Sequence, residues 1–535
     1  MSQRVVPPQL NYDDILPLAI ESRSNRREFL PVNGAVFGNT SGATVCRIDV
    51  NADSMLDASH SYLECDITNT SAVADTYLAV NPWTPSWIQR LRIESGGVVI
   101  EDINEYSRLY ALLALNQTPQ SYIKNNMANQ GLYKPCLGGA LATVGGGVST
   151  TQIPEGITYS RQSDATAAGA LPTADAQAWN LSTSVPTELH YPMTAECVLR
   201  GGSSDLTAGA NVSSAQGGDV TATFPTAIGL AEIQTKNKIV TGASDRMCFP
   251  LVSGFLNMDQ YIPLIMMNAG FTIELTLCSA NRMGLSMVEG VGALAAPVDA
   301  TWDVSNVKYV AHLIDLDRSF YDQLRSVMES STGVLQLAGQ TYRHFVGQMP
   351  VGTGPHTLTL PARVKSVKSI FGTFMDNTQF GSNANFDTSV FQNANLTNYR
   401  FEIGSVRYPQ TQVQCSATSR QGVENQVELQ KAWGKLGDYQ HEQAYSWKNT
   451  LNAESVRDGL NPSTSLCSAF CIGYDFEAFQ RVALEAGINT QDRSLPINFI
   501  AERSAVTTNP TRADFYVLCD ALYYINLDGT VSVSI

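Results

Sequence analysis

Six histidines are the first residues to weigh for metal or proton chemistry: His60, His190, His312, His344, His356 and His441. They are widely spaced, and only His441-Glu442 begins a metal motif, the H-E-x-x-H of zinc hydrolases. That motif needs a second imidazole where Tyr445 stands. A lone histidine such as His312, inside the strand-like run from Val307 to Leu316, reads as a hydrogen-bonded core or surface residue rather than a ligand. The ten cysteines are scattered. Cys46, Cys65, Cys278 and Cys519 lie in apolar or alternating runs, where a thiol behaves as a small hydrophobe. Cys467 and Cys471 lack the C-x-x-C spacing of zinc and redox sites. All ten read as reduced thiols of an intracellular product.

Adjacent acids, Asp13-Asp14 and Glu101-Asp102, would serve glycoside hydrolysis only if two carboxylates faced each other across a defined gap. Such neighbours more often mark turns or solvated faces. Gly145-Gly146-Gly147 is not followed by the Lys-Ser/Thr of a phosphate cradle, and no G-x-S-x-G nucleophile elbow occurs. The residues therefore point to no enzyme, no cofactor and no metal.

Composition argues in the same direction. The chain has 535 residues, a net charge of −15 at pH 7, 44% hydrophobic and 16% charged residues. Soluble domains usually carry ~25% charged residues, so this chain has few charges for a free surface, as expected equally of a protein that covers itself with its own copies and of a large β protein rich in Ser, Thr, Asn and Gly. A protein gripping nucleic acid along its phosphates presents a basic face. Here the nearest approach is Arg23, Arg26 and Arg27, so no direct sequence-specific nucleic-acid binding is expected. These arginines are instead the candidate interaction residues of an N-terminal arm. The sequence opens on no basic-then-apolar leader and holds no run of ~18 apolar residues that would suggest a membrane span. The Asn-x-Ser/Thr triplets at Asn39, Asn69 and Asn395 read as chance.

The elements that would position these groups are mostly strands. Phe271, Ile273, Leu275 and Leu277 share one face, and Thr272, Glu274 and Thr276 the other, the period of two that a half-buried strand requires. Trp87 to Ile103 reads as two strands around Gly96-Gly97, and Asp528-Gly529 divides a last hairpin. Val45 to Val50, Tyr62 to Ile67, Thr357 to Leu360, Val364 to Met375 and Arg400 to Ile403 are further strands. Helices are few. Asn104 is the expected cap of one striped by Tyr106, Leu109, Tyr110 and Leu113. Asp317 caps a second, striped by Phe320, Leu324, Val327 and Met328, and a third runs from Val423 to about Trp433. Residues 1–30 read as a loose arm, and 136–245 as elaborated loops anchored by Trp179, Tyr191, Met193 and Leu199. The expected organisation is an arm over 1–30, a first β domain over 31–320 containing that insertion, and a second over 321–535 preceded by the linking helix. Many short strands and few helices favour sandwiches or barrels.

Four segments carry a resemblance. Ile88 to Ile93, then Gly97-Val98-Val99-Ile100-Glu101-Asp102-Ile103 and Tyr106, fit a G-x-x-I-E-x-I-x-x-Y pattern. Phe249-Pro250-Leu251, Tyr261-Ile262-Pro263-Leu264 and Phe271 to Leu277 fit P-L, Y-x-P-L and I-E-L-T-L. Val304 to Val307 with Leu313 to Asp317 comes third, and Gly487 to Thr490 with Leu495 to Phe499 fourth. In this order they resemble the double jelly-roll major capsid proteins of eukaryotic double-stranded DNA viruses, above all the virophage and polinton-like type. The resemblance implies an all-β fold of two tandem jelly-roll sandwiches with long loop insertions. It implies a structural subunit whose homotrimers form pseudo-hexameric capsomers tiling an icosahedral shell. Its partners would be itself, neighbouring capsomers, and penton and minor capsid or cement proteins. It would reside in the virion and be assembled inside the infected host cell. Two other classes compete: a β-sandwich carbohydrate-binding protein or glycosidase, which would need convergent carboxylates or an aromatic platform, and a receptor-binding spike.

Overall fold

A computed structural model describes residues 21–132, 239–437, 470–478 and 486–535, less scattered positions within these spans. It also describes Gln443 and the short strands 142–144 and 147–149.

The first half of the chain runs β1 (Ser22–Phe29), β2 (Val36–Gly38), β3 (Val45–Val50), β4 (Met55–Asn69), β5 (Thr76–Val80), β6 (Ile88–Ser95), β7 (Val98–Asn104) and α1 (Tyr106–Gln117). It continues through β8 (Ala142–Val144), β9 (Gly147–Ser149), β10 (Ile239–Val240), β11 (Ser244–Phe249), β12 (Ile262–Pro263), β13 (Phe271–Leu277), β14 (Gly284–Gly290), β15 (Ala293–Val298) and β16 (Trp302–Leu316). After α2 (Arg318–Ser330) come β17 (Val334–Met349), β18 (Gly354–Leu360), β19 (Val367–Asp376), β20 (Leu396–Ile403), β21 (Val406–Gln414) and α3 (Val423–Ala432). The chain closes with β22 (Cys471–Asp475), β23 (Ile497–Arg503), β24 (Thr511–Asn526) and β25 (Val531–Ser534).

Strand order makes each half a jelly roll. In the second half, β17 to β24 pair as β17-β24-β19-β22 and β18-β23-β20-β21. Numbered along the chain, that is 1-8-3-6 against 2-7-4-5. The first half repeats the permutation with β1-β16-β4-β11 and β3-β13-β6-β7. Two sheets built this way are the two layers of one Greek-key sandwich. Of the remaining strands of the first half, β10, β5, β14 and β15 form a small extra sheet.

Local sequence explains the strands. In β13 every second side chain is buried, with Phe271, Ile273, Leu275 and Leu277 inside. Gly96 and Gly97 have φ of 55° and 84°, the left-handed pair that a tight hairpin between right-twisted strands requires. β19 shows no alternation, being buried from Val367 to Met375. Its Ile370 and Phe374 enter the second roll's own core. On the other face, Phe371 stacks on Trp433, just beyond α3, at 3.7 Å.

Register fixes which loops leave together. At one end Asn69 of β4 pairs with Trp302 of β16, and Thr68 with Ser244 of β11. There too Leu277 pairs with Ile88, and Arg90 with Asn104. The chain between β7 and β11, which holds the long insertion, therefore leaves from the same end as the extra sheet. The rolls point the same way. Asn383 Nδ2 donates to Asp299 Oδ1 at 3.2 Å near this end, and Asn268 N–H donates to the Gly529 carbonyl at 3.0 Å near the opposite one.

Three expectations need correction. Ser22–Phe29, read as part of a loose arm, is a strand paired along its whole length with β16, from Ser22 opposite Leu316 to Phe29 opposite Tyr309. Backbone pairing with a long neighbour outweighs the polar pattern of its side chains. Asn104 ends β7 instead of capping α1; the cap position is Glu105, at φ 50°, with no side-chain cap bond. Nor is α1 striped, because both its faces are covered: Tyr106 to Leu112 are all buried. The insertion's anchors Trp179, Tyr191, Met193 and Leu199 lie outside the described residues, as do Asp13, Asp14, His190 and His441.

Candidate assembly site: the seam between the rolls

The seam is built on polar side chains from elements that are otherwise apolar. In β24, Ala513, Phe515, Val517 and Cys519 enter the second roll's core. The alternate residues Asp514, Tyr516 and Asp520 are also buried, because they face the first roll. Both faces of this strand are covered, so it reads as a continuous run and hides its direction.

Asp514 is the hub. Arg108 of α1 reaches it at 3.2 Å, and neither side chain is exposed at all. Arg512 lies 2.9 Å away and the His344 imidazole 2.9 Å away. Burial alone would raise the Asp514 pKa; the His344 hydrogen bond and the charges of Arg108 and Arg512 outweigh it and hold the carboxyl well below its ordinary range. Arg512 extends to Glu105 at 3.1 Å. Arg282 links Glu105 at 2.6 Å to Asp387 at 3.3 Å. Arg282 and Arg512 both lie over the ring of Phe380, at 4.3 and 3.8 Å. Arg108, Arg282 and Arg512 thus meet Glu105, Asp387 and Asp514, three cations against three anions, mostly buried between the rolls. Buried charges persist only when paired and hydrogen-bonded in this way.

Further along, Glu101 of β7 accepts from Thr341 Oγ1 of β17 at 2.6 Å, from the Gly254 N–H at 2.9 Å and from Ser253 Oγ. Burial raises its pKa above the ordinary value, against the lowering effect of those donors. Gly254 lies so close to β17 that an added Cβ would stand 1.4 Å from the Gln340 carbonyl oxygen. Beside it a cleft of about 950 Å³ opens between the rolls, with Tyr110, Tyr122, Met258 and Tyr342 on its walls and Lys368 and Asp520 deep inside.

Of the other residues singled out by type, only His60 and His312 come together, with ring centroids 5.9 Å apart. Glu101 and its neighbour Asp102 face opposite ways: Asp102 takes Arg90 Nε at 2.7 Å on the sheet's other face, so the pair is no hydrolytic dyad. His60 bonds Asp57 at 2.7 Å, His356 lies 3.3 Å from the Gly352 carbonyl, and His344 belongs to the seam. Among the described residues no three His, Cys, Asp or Glu side chains cluster as metal ligands. Cys46, Cys278 and Cys519 are free, and burial pushes each thiol up to about 12. Arg23, Arg26 and Arg27 are exposed on β1. Arg26 pairs with Glu28 at 3.1 Å, Arg27 lies over Phe29 at 5.0 Å, and Arg23 stands opposite Asp315.

Of the seam residues the sequence singles out Glu101 and His344, whereas Arg108, Arg282, Asp387 and Asp514 belong to no motif. One signal was present: a charge inside an apolar run, as at Arg108 or Asp514, has to find a buried partner.

No family model and no curated protein matches the chain. Solved structures do. PBCV-1 VP54, fitted into a cryo-EM reconstruction of the virophage Sputnik, is 9% identical, with 98% of this chain and 99% of that one aligned at a TM-score of 0.51. A quasi-atomic model of the PBCV-1 virus capsid gives 10%, 98%, 99% and 0.51. The Faustovirus major capsid protein gives 9%, 97%, 92% and 0.51. At such identities the likeness is one of fold, and it extends over nearly the whole chain: two jelly rolls in tandem, all-β with few helices.

Proposed function

We propose that this chain is the major capsid protein of a double-stranded DNA virus. Three copies form a capsomer of six rolls with a pseudo-hexagonal outline, and capsomers tile an icosahedral shell. The observation that carries this reading is the repeated 1-8-3-6 and 2-7-4-5 permutation in two rolls that point the same way. Parallel rolls locked by a buried seam make one rigid block with the longest insertions at one end. Such a block suits tiling: many weak contacts between copies add up through avidity.

In this reading the loop-bearing end is the outer crown, and the insertion at 136–245 clasps neighbours or faces the host. β1, with Arg23, Arg26 and Arg27, brings the N-terminal arm to the inner side, where it meets minor capsid or cement proteins. The protein is then a virion component, assembled in the infected cell, without enzymatic work. Light scattering on a size-exclusion column tests this. The expected mass is three times that of one chain, or multiples of that trimer. A monomer at every concentration would overturn the reading and turn attention to glycan binding.

A further inference from the structure

Lys368 and Asp520 line the seam's cleft, with Glu477 against the lysine, and the network around Asp514 leaves all three unused. Lys368 is the residue at which the pairing of β19 with β24 shifts register: Val367 stands opposite Cys519, and Ser369 opposite Leu518. Lys368 is 8% exposed and Asp520 4%. Lys368 Nζ lies 2.7 Å from Glu477 Oε1 and 3.5 Å from Asp520 Oδ1. Ser366 Oγ donates to the other aspartate oxygen, Oδ2, at 2.7 Å. The backbone holds this arrangement. The Asp520 N–H donates to the Ser366 carbonyl at 3.3 Å, and the Phe476 N–H donates to the Lys368 carbonyl at 2.7 Å, which sets Glu477 against the lysine.

An amine and a carboxyl pinned at contact distance away from bulk water have a high effective concentration toward each other. A second carboxylate touching the amine supplies the proton carrier that condensation needs. We propose that Lys368 and Asp520 condense to an intramolecular isopeptide bond, with Glu477 carrying the protons.

Glu477 takes one proton from the Lys368 ammonium and passes it to Asp520. The freed amine attacks Asp520 Cγ. The charge that develops on Oδ2 is held by the Ser366 hydroxyl, as in an oxyanion hole. A second proton leaves the nitrogen by way of Glu477 and joins Oδ1, which departs as water. One N–C bond forms, one C–O bond breaks, and no oxidant or cofactor is used. The product ties two central strands of the second roll directly beneath the seam. No disulfide joins the described cysteines, so this bond takes the place a disulfide would have in limiting the unfolded chain. The bond does not depend on the chain forming a shell.

Peptide mapping of the purified, folded full-length protein by mass spectrometry decides the matter. The expected product is a linked pair of peptides containing Lys368 and Asp520, lighter than their sum by one water. Lys368→Arg and Glu477→Gln should give only separate peptides, and their denatured chains should run more slowly on a gel than the looped wild type. Wild-type protein that yields only the two separate peptides would overturn the proposal. A linked pair that persists in Glu477→Gln would overturn the role given to Glu477.

Discussion

Arg108 of the first roll and Asp514 of the second form an ion pair of 3.2 Å in which both side chains are wholly buried. One partner sits on α1 and the other on β24, so the pair exists only when the rolls are docked. Asp514→Ala would leave the Arg108 guanidinium buried without its anion. Stranding one member of such a pair costs roughly 3–5 kcal/mol. Urea denaturation should show a loss of that size, and a change within experimental error would contradict the account of the seam.

The same carboxylate sets an acid limit. Its folded pKa lies below its unfolded value, which is about 3.9 for an aspartate. The stability it contributes is then present above the unfolded value and lost as pH falls through the folded one. The gap in melting temperature between wild type and Asp514→Asn should be full at neutral pH and close only in strong acid. A gap that closed between pH 7 and 5 would point to a different group.

Glu101 predicts the opposite slope. Burial raises its folded pKa, so its contribution is complete below the unfolded value of about 4.3 and is lost as pH rises through the folded one. Wild type should lose stability relative to Glu101→Gln as pH rises from 4 to 8, measured by thermal melts in matched buffers. A relative gain with rising pH would be inconsistent with a desolvated carboxyl at this contact.

Gly254 marks a close approach of backbone to backbone between the rolls. With the Gln340 carbonyl 1.4 Å from any added Cβ, Gly254→Ala has to push backbone from backbone. Overpacking of this kind costs typically ~1–3 kcal/mol, and here no flexible side chain can yield. Hydrogen exchange should rise along β17 and in residues 250–258 while β20 and β23 stay protected. Unchanged protection at the seam would contradict the geometry.

The sequence carried the strands that are covered on one face. Phe271 to Leu277 alternates and is a strand with that burial, and the Gly96-Gly97 turn stands where its residue types put it. The linking helix begins at Arg318, just after Asp317. Elements covered on both faces were harder. α1 packs against both rolls, so the stripe expected of it dissolves into burial all round. β1 is polar up to Phe29 and is held by pairing with β16, a partner nearly three hundred residues away that no local pattern reveals. The seam was illegible for the same reason. Arg108, Arg282, Asp387 and Asp514 come from four distant segments, and only folding makes them neighbours. The expected clustering of Arg23, Arg26 and Arg27 by number places them on one strand, yet alternation sends Arg26 to the face opposite its two companions.

The central claim is that two rolls act as one rigid third of a six-roll capsomer. Averaged electron micrographs of the purified particle viewed along its axis test it most directly. The account predicts six lobes in a pseudo-hexagonal outline, with threefold rather than sixfold symmetry because alternate rolls differ. Single two-lobed particles at all concentrations, or a ring of some other symmetry, would contradict it.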